Sequence, residues 1–512
     1  MHNNVLQSSL IQAREALARG DSKAAHRSFQ QAHQLAPEDP DILLDLAVAC
    51  LACDAPSESL VHAQAASQLI SGWRLELVQA NAYLLLNQAD SADFHLQLAV
   101  ADPALPSGSR ATALKQRASL QLNAFGDARS SAVSLREAAI ATPALTRDAE
   151  LATLVADLYE GGRTPSQLMA GFSALAQGLE APVTTTALHT LPRKSRKRLR
   201  IGLISQQFCA SPVGFLTLGA VSALAREADL LFFDRGAKVD WAKAAFQACA
   251  RHWMPCASLN NVQLYRLLNE ADLDAVIDMS GWTDPYALSA LTGRPARRQL
   301  KWVGGQSMST GLQCFDGFVA DRRQVPAAAA KFYTEPLLLA RQGYVSYTAP
   351  PYAAGLNDAA THPPTAAGQP APGVYALVSN PAKISPAIAA DLRQLNPRKL
   401  LLLDQRWKHQ GTRIAGQRRL GSLMDVAEFI TPANHHEYLQ ALIGLDATFV
   451  DTAPYAMGLT AIELRLLGKH IKTAPRSSTA LMYERHCVAH MGARRFDHHA
   501  SLAAQLLEWC KS

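Results

Sequence analysis

The run Leu199-Arg200-Ile201-Gly202-Leu203-Ile204-Ser205 is apolar apart from Arg200 and ends in the polar turn Gln206-Gln207. A short apolar segment bounded in this way reads as the first buried strand of an α/β domain. Further candidate strands follow at Ala228–Phe233, Ala275–Met279, Leu300–Val303 and Gly317–Ala320, with helical stretches between most of them. Strands that alternate with helices build a parallel sheet. A proline-rich break over residues 349–373 closes this region. The alternation then restarts at Val374–Val378, Lys399–Leu403, Phe429–Thr431, Ala447–Val450 and His470–Thr473. Two Rossmann-like lobes are expected, 199–348 and 374–512, with 349–373 as the linker between them.

Upstream of Leu199 the chain changes character. Residues 181–198 form a linker with little periodicity, whose basic run Arg193-Lys194-Ser195-Arg196-Lys197-Arg198 carries much of the formal charge of +6. No nucleic-acid-binding motif accompanies that run, so it reads as a solvated lead into the first strand. Residues 1–180 are rich in Ala, Leu and Gln with helical spacing. Gly20, Ala25, Phe29, Ala32 and Pro37 fall where a tetratricopeptide (TPR) unit places its small, aromatic and terminating residues. Small residues let two antiparallel helices approach closely, and the proline stops the second. Leu43, Leu46 and Ala47 open a further unit. Trp73 to Pro103 and Ala111 to Pro143 read as two more. Helical pairs of this kind stack into a solenoid, and such solenoids bind peptides or proteins or brace a neighbouring domain.

The remaining composition narrows the class. Hydrophobic residues make up 48% of the chain and charged residues 18%, the balance of a folded globular protein. No apolar run approaches the roughly 20 residues of a membrane span, and the first residues read as an amphipathic helix, not a secretory signal. Cys50-Leu51-Ala52-Cys53 has CxxC spacing, a weak zinc or redox signal in a helix where buried thiols are the commoner case. Reduced thiols and a cytoplasmic location are the expectation. No GxGxxG follows the first strand and no GxSxG elbow appears, which argues against a Rossmann oxidoreductase and a nucleophilic hydrolase.

Three stretches carry a family resemblance. The first is Arg200 to Phe208, continued by Ser211-Pro212-Val213-Gly214-Phe215-Leu216. The second is Val276-Ile277-Asp278-Met279-Ser280-Gly281-Trp282-Thr283, followed by Arg294-Pro295-Ala296 and Gln299-Leu300-Lys301-Trp302-Val303-Gly304. The third is Phe449-Val450-Asp451-Thr452, followed by Pro454-Tyr455-Ala456, Thr460-Ala461-Ile462-Glu463 and Leu467-Gly468. With the repeats, they resemble the bacterial (SPINDLY-like) members of the protein O-linked N-acetylglucosamine transferase family. The resemblance implies a TPR-like solenoid followed by a two-lobed GT-B glycosyltransferase. It also implies an inverting transfer of N-acetylglucosamine or another hexose from a UDP-sugar to a protein side chain. It places Lys383 against the donor diphosphate as the catalytic cation, standing in for a metal, and no DxD-like carboxylate pair stands out. It assigns donor contacts to Tyr455, Gly458, Leu459, Thr460 and Glu463, with Glu463 facing the ribose. The base is assigned to Asn434, His435 and His436. The acceptor side of the cleft is assigned to Ser211, Pro212, Gly214, Gly304 and Gln306. Neither metal nor other cofactor is expected.

Read from the residues alone, Asn434 is also a helix cap, Glu463 a favourable charge in a first helical turn, and Lys383 a surface cation. The chain departs from the family where two histidines flank the N-lobe motif: Ser211 and Phe215 stand there. Gly458 and Leu459 replace a histidine and a threonine beside the diphosphate. These losses keep two alternatives in view. One is a CMP-nonulosonate-dependent transferase acting on flagellin or another surface protein. The other is a catalytically silent TPR/GT-B interaction protein. A homodimer is compatible with each.

Overall fold

The computed structural model describes residues 2–179, 196–305, 308–356, 358, 369–493 and 495–511. The chain divides into two compact units, Met1–Thr153 with Lys408–Ala415, and Leu154–Trp407 with Gly416–Ser512. Residues 181–195 of the basic linker, and residues 357 and 359–368 of the interlobe stretch, lie outside the described residues.

The first unit is built from antiparallel helix pairs. These are α1 (His2–Ala18) with α2 (Ser22–Leu35), α3 (Pro40–Ala52) with α4 (Pro56–Ser67), α5 (Trp73–Leu85) with α6 (Ala89–Ala101), and α7 (Ser107–Asn123) with α8 (Ala128–Ala141). Capping residues set the starts. Asp21 accepts from the Ala24 N–H, Asp127 from that of Ser130, and Asp39 from those of Asp41 and Ile42 just ahead of Pro40. Ala25, Phe29 and Ala32, the expected repeat positions, are fully buried, with Phe29 against Ala13, Leu46, Ala49 and Cys50. The division between the units falls within α9 (Thr146–Glu160), which α10 (Pro165–Gln177) follows.

The second unit carries two parallel sheets. The first runs through β1 (Arg200–Ser205), α11 (Pro212–Leu224), β2 (Asp229–Asp234), α12 (Trp241–Ala248), β3 (His252–Pro255), α13 (Asn261–Glu270) and β4 (Leu273–Asp278). It continues with α14 (Pro285–Thr292), β5 (Ala296–Lys301), β6 (Gly317–Ala320) and β7 (Leu337–Leu339). Its strand order is β3-β2-β1-β4-β5-β6-β7. The second sheet contains β8 (Val374–Leu377), α15 (Pro386–Leu395), β9 (Lys399–Leu403), α16 (Gln410–Leu420) and β10 (Ala427–Ile430). After these come α17 (His435–Gly444), β11 (Thr448–Val450), α18 (Leu459–Leu466), β12 (Ile471–Lys472), α19 (Met482–Met491) and α20 (His499–Lys511). Its order is β10-β9-β8-β11-β12. The fold is the GT-B arrangement of two Rossmann-like lobes behind a TPR-like helical region.

One expected strand moves. Leu300–Val303 is replaced by Ala296–Lys301, because the chain leaves the sheet at Trp302 and turns through Val303, Gly304 and Gly305, all at positive φ. Strands β3 and β7 gave no apolar run long enough to be read from sequence. The last helix returns to the first lobe. His499 Nδ1 lies 2.8 Å from Ser346 Oγ, and its ring fills the space over Gly219, where a Cβ would sit 2.2 Å from Nδ1.

Candidate functional site

In an open parallel sheet, ligands bind beyond the carboxyl ends of the strands, where the strand order reverses. Here that rule selects four loops: those after β1 and β4 in the first lobe, and those after β8 and β11 in the second. All four line one cleft of about 790 Å³.

The loops of the first lobe are fixed by buried polar groups. Asp278, at the end of β4, accepts from the N–H groups of Ser280 and Gly281. The buried Lys301 ammonium stands 3.5 Å from Asp278 and donates to the carbonyls of Val303 at 2.6 Å and Gly304 at 2.9 Å. Burial raises the Asp278 carboxyl and lowers the Lys301 ammonium, and each opposes the shift of the other. Gly304 lies against β4 so closely that a Cβ would come within 2.1 Å of the Met279 carbonyl. Ser211 caps α11, accepting from the Gly214 N–H at 3.2 Å and donating to the Gln207 carbonyl at 3.2 Å. Of the residues expected on this side, Ser211, Pro212 and Gly304 line the cleft. Gly214 does not: it packs on the Cys209 carbonyl, so its role is to let the chain close there. Gln306 lies outside the described residues.

The loops of the second lobe gather most of the residues expected on the donor side. Lys383 stands on a short 3-10 turn, Pro381–Lys383, between β8 and α15. Its ammonium donates to the Ala456 carbonyl at 2.9 Å and sits 4.2 Å from the centre of the Tyr455 ring. Burial pulls it down to about 8, against the opposing pull of Asp451. Asp451 is itself buried, accepting from Arg476 at 2.7 Å and from the Met457 N–H at 2.9 Å, which pins the loop ahead of α18. Gly458 occupies the N-cap position of α18 without a side-chain cap. The first N–H groups of a helix have no partner within it, so this end is a place for anionic oxygens. Thr460 accepts from the Tyr438 hydroxyl at 3.2 Å. Tyr455 stacks on Tyr159 with ring centres 5.1 Å apart.

Glu463, almost fully buried, lies 2.9 Å from His435 Nε2 and 3.4 Å from the Tyr347 hydroxyl. His435 bonds the Tyr352 hydroxyl through Nδ1 at 2.8 Å. Its ring stacks on Phe215 at 4.6 Å and on Tyr438 at 5.6 Å. Phe215 therefore joins the lobes through an aromatic contact at a position where a polar ring was expected. Asn434 accepts from the Glu437 N–H at 3.0 Å, so it is the cap of α17 as well as a lining residue. His436 is not in the cleft. It is exposed one helical step round from His435 and meets Gln440 at 3.1 Å.

Among the lining residues that the sequence reading did not single out are two histidines of α19. His486 and His490, four residues apart on α19, stack in parallel at 5.9 Å. Gln324 holds His486 Nδ1 at 3.0 Å. Burial pushes both down, His490 to about 3, and the nearby Lys383 charge adds to the effect on His486, so both imidazoles are neutral at physiological pH. Nothing in the linear sequence ties them to the third motif. Their i, i+4 spacing on a helix was the available signal.

Comparison with known proteins agrees with this picture. A tetratricopeptide repeat family profile matches residues 16–68. A probable UDP-N-acetylglucosamine–peptide N-acetylglucosaminyltransferase, SPINDLY, from Petunia hybrida is 25% identical over 234 residues. That match covers 42% of this chain and 23% of the relative, so the chain corresponds to about a quarter of the plant protein's length. Among solved structures, a mutant of the O-GlcNAc transferase of Thermobaculum terrenum superposes with a TM-score of 0.61 at 19% identity. It covers all of this chain and 94% of the other. The likeness extends over both the helical region and the two lobes.

Proposed function

We propose that the chain is a metal-independent inverting glycosyltransferase that moves a sugar from a UDP-linked donor to a side chain of an acceptor protein. The observation that carries this reading is the meeting of Lys383 with the start of α18 at the strand ends of the second lobe. A leaving diphosphate needs cationic and N–H donors already in place, and this corner supplies both.

The diphosphate oxygens lie between the Lys383 ammonium, the N–H groups of Leu459 and Thr460, and the Thr460 hydroxyl. Glu463 takes the ribose hydroxyls, which replace His435 and Tyr347 as its donors. The uracil lies beside His435 and Asn434. An acceptor hydroxyl enters from the side of Ser211, Pro212 and Gly304 and attacks the anomeric carbon opposite the departing oxygen; the bond to the diphosphate breaks, the hydroxyl proton passes to solvent, UDP leaves, and the sugar is inverted. Catalysis then rests on holding the leaving group and aligning the acceptor. A cytoplasmic location belongs to the same proposal, in keeping with eight free cysteines.

One observation favours a second reading. Ser211 is committed to capping α11 and Phe215 to stacking on His435, so neither replaces a proton-accepting histidine. A chain that binds donor but transfers nothing would look the same here. Calorimetric titration with UDP, UDP-N-acetylglucosamine, UDP-glucose, GDP and CMP separates the cases. Binding of UDP and a UDP-sugar, with donor hydrolysis or transfer, supports the proposal. Binding without turnover supports the silent module, CMP alone redirects the reading to a nonulosonate donor, and no binding at all sinks it.

A further inference from the structure

The cysteine of the CxxC pair that faces the interior does not act with its sequence partner. Cys50, fully buried on α3, points toward His26 on α2 and Glu58 on α4. One ligand atom from each of these residues, His26 Nε2, Cys50 Sγ and a Glu58 carboxylate oxygen, lies within 4.8 Å of the other two. We propose that these three residues form a site for a zinc-like divalent cation, which ties together three helices of the first two repeats.

The separation of His26 and Glu58 is that of two metal ligands better than that of a hydrogen-bonded pair. His26 Nε2 and Glu58 Oε1 are 3.4 Å apart, and this buried nitrogen has no hydrogen-bond partner. A charge-assisted hydrogen bond would draw the two to about 2.8 Å. Two ligands at about 2.1 Å from a tetrahedral centre, by contrast, stand about 3.4 Å apart. Thiolate, imidazole and carboxylate together suit Zn²⁺, whose sites take all three, and disfavour the all-oxygen cations. Glu58 is part exposed, which gives the ion an entry path and leaves room for a water as fourth ligand. His62 stands one turn after Glu58 on α4, edge-on to His33 with ring centres 5.4 Å apart. The His62 imidazole borders the cluster, within electrostatic reach of Glu58 and His26.

Burial first, then the Glu58 and Cys53 charges, push the Cys50 thiol up to about 12. Binding breaks the Cys50 S–H bond, forms the metal–sulfur bond and releases that one proton to solvent.

The site shares no residue with the donor cleft, and its test is independent of turnover. The full chain, reduced and stripped with chelator, is titrated with Co²⁺. The expected result is a thiolate-to-cobalt charge-transfer band with intense tetrahedral visible bands, saturating at one ion per chain and displaced by Zn²⁺. Cys50→Ser should abolish the charge-transfer band and Cys53→Ser should keep it. Glu58→Gln, at a part-exposed position that should not disturb folding, should weaken binding at least tenfold. Absence of the band in the natural chain, its survival in Cys50→Ser, or an unchanged affinity in Glu58→Gln would each overturn the proposal.

Discussion

Lys383 is a cation that the fold makes costly. Folded, it titrates near 8, and an ordinary lysine near 10.5. Below pH 8 it is charged in both the folded and unfolded states, and the folded state bears the full desolvation cost. Between about 8 and 10.5 the unfolded chain binds the proton that the folded chain has lost, so this group's contribution makes stability rise with pH there. Lys383→Ala should therefore melt no lower than the natural chain at pH 7 in a thermal scan. The same variant should lose about 100- to 1,000-fold in turnover, the usual cost of removing one leaving-group or oxyanion donor. In the proposed function the same ammonium holds the diphosphate. UDP affinity measured by calorimetry should hold steady below pH 8, then weaken by about tenfold per unit above it, and Lys383→Ala should flatten that dependence. Glu463 has a separate signature: Glu463→Gln should weaken UDP about tenfold, since hydrogen bonds to a charged acceptor are worth about 1.5–3 kcal/mol, while leaving the pH profile centred on Lys383.

At the scale of the element, the loop after β5 shows why one motif could be read and another could not. Gln299-x-x-Trp302-x-Gly304 is informative because each residue has a fixed task. Gln299 donates to the Leu291 and Cys314 carbonyls, the Trp302 indole donates to the Tyr344 carbonyl at 2.7 Å, and Gly304 admits β4. Lys301, unremarked within that motif, is the buried cation that holds the turn together. Lys301→Met should cost about 3–5 kcal/mol in urea unfolding, because it strands the buried Asp278 charge. Adding Asp278→Asn should recover part of that loss, which a purely steric role for Lys301 would not allow. The short strands were less legible for equally physical reasons. β3 begins at the exposed His252 and ends at the exposed Pro255, and β7 spans three residues, so neither presents an apolar period. The strands with continuous buried runs, β1, β2, β4 and β9, were read close to their true bounds. His486 and His490 were missed because tertiary packing, not sequence adjacency, carries α19 to the cleft.

At the scale of the molecule, chain connectivity couples the two units. Lys408–Ala415 belongs to the helical unit although the chain on both sides of it belongs to the other. Asp90 holds this segment, accepting from the Gly411 N–H at 2.9 Å and facing His409 Nδ1 at 3.0 Å. Gly411 lies on the Phe125 ring, where a Cβ would stand 2.7 Å from its edge. Unfolding the helical unit therefore releases a stretch whose continuation, α16, lies within the second lobe, and the lobe loses the first turns of that helix. Calorimetry should accordingly record one cooperative transition, and UDP, whose proposed site lies in the second unit, should raise it as a whole. Asp90→Ala should lower that transition or split it in two, with UDP then moving only the upper part. Two transitions in the natural chain, with only one responding to UDP, would mean that the shared segment carries too little free energy to bind the units into one folding event.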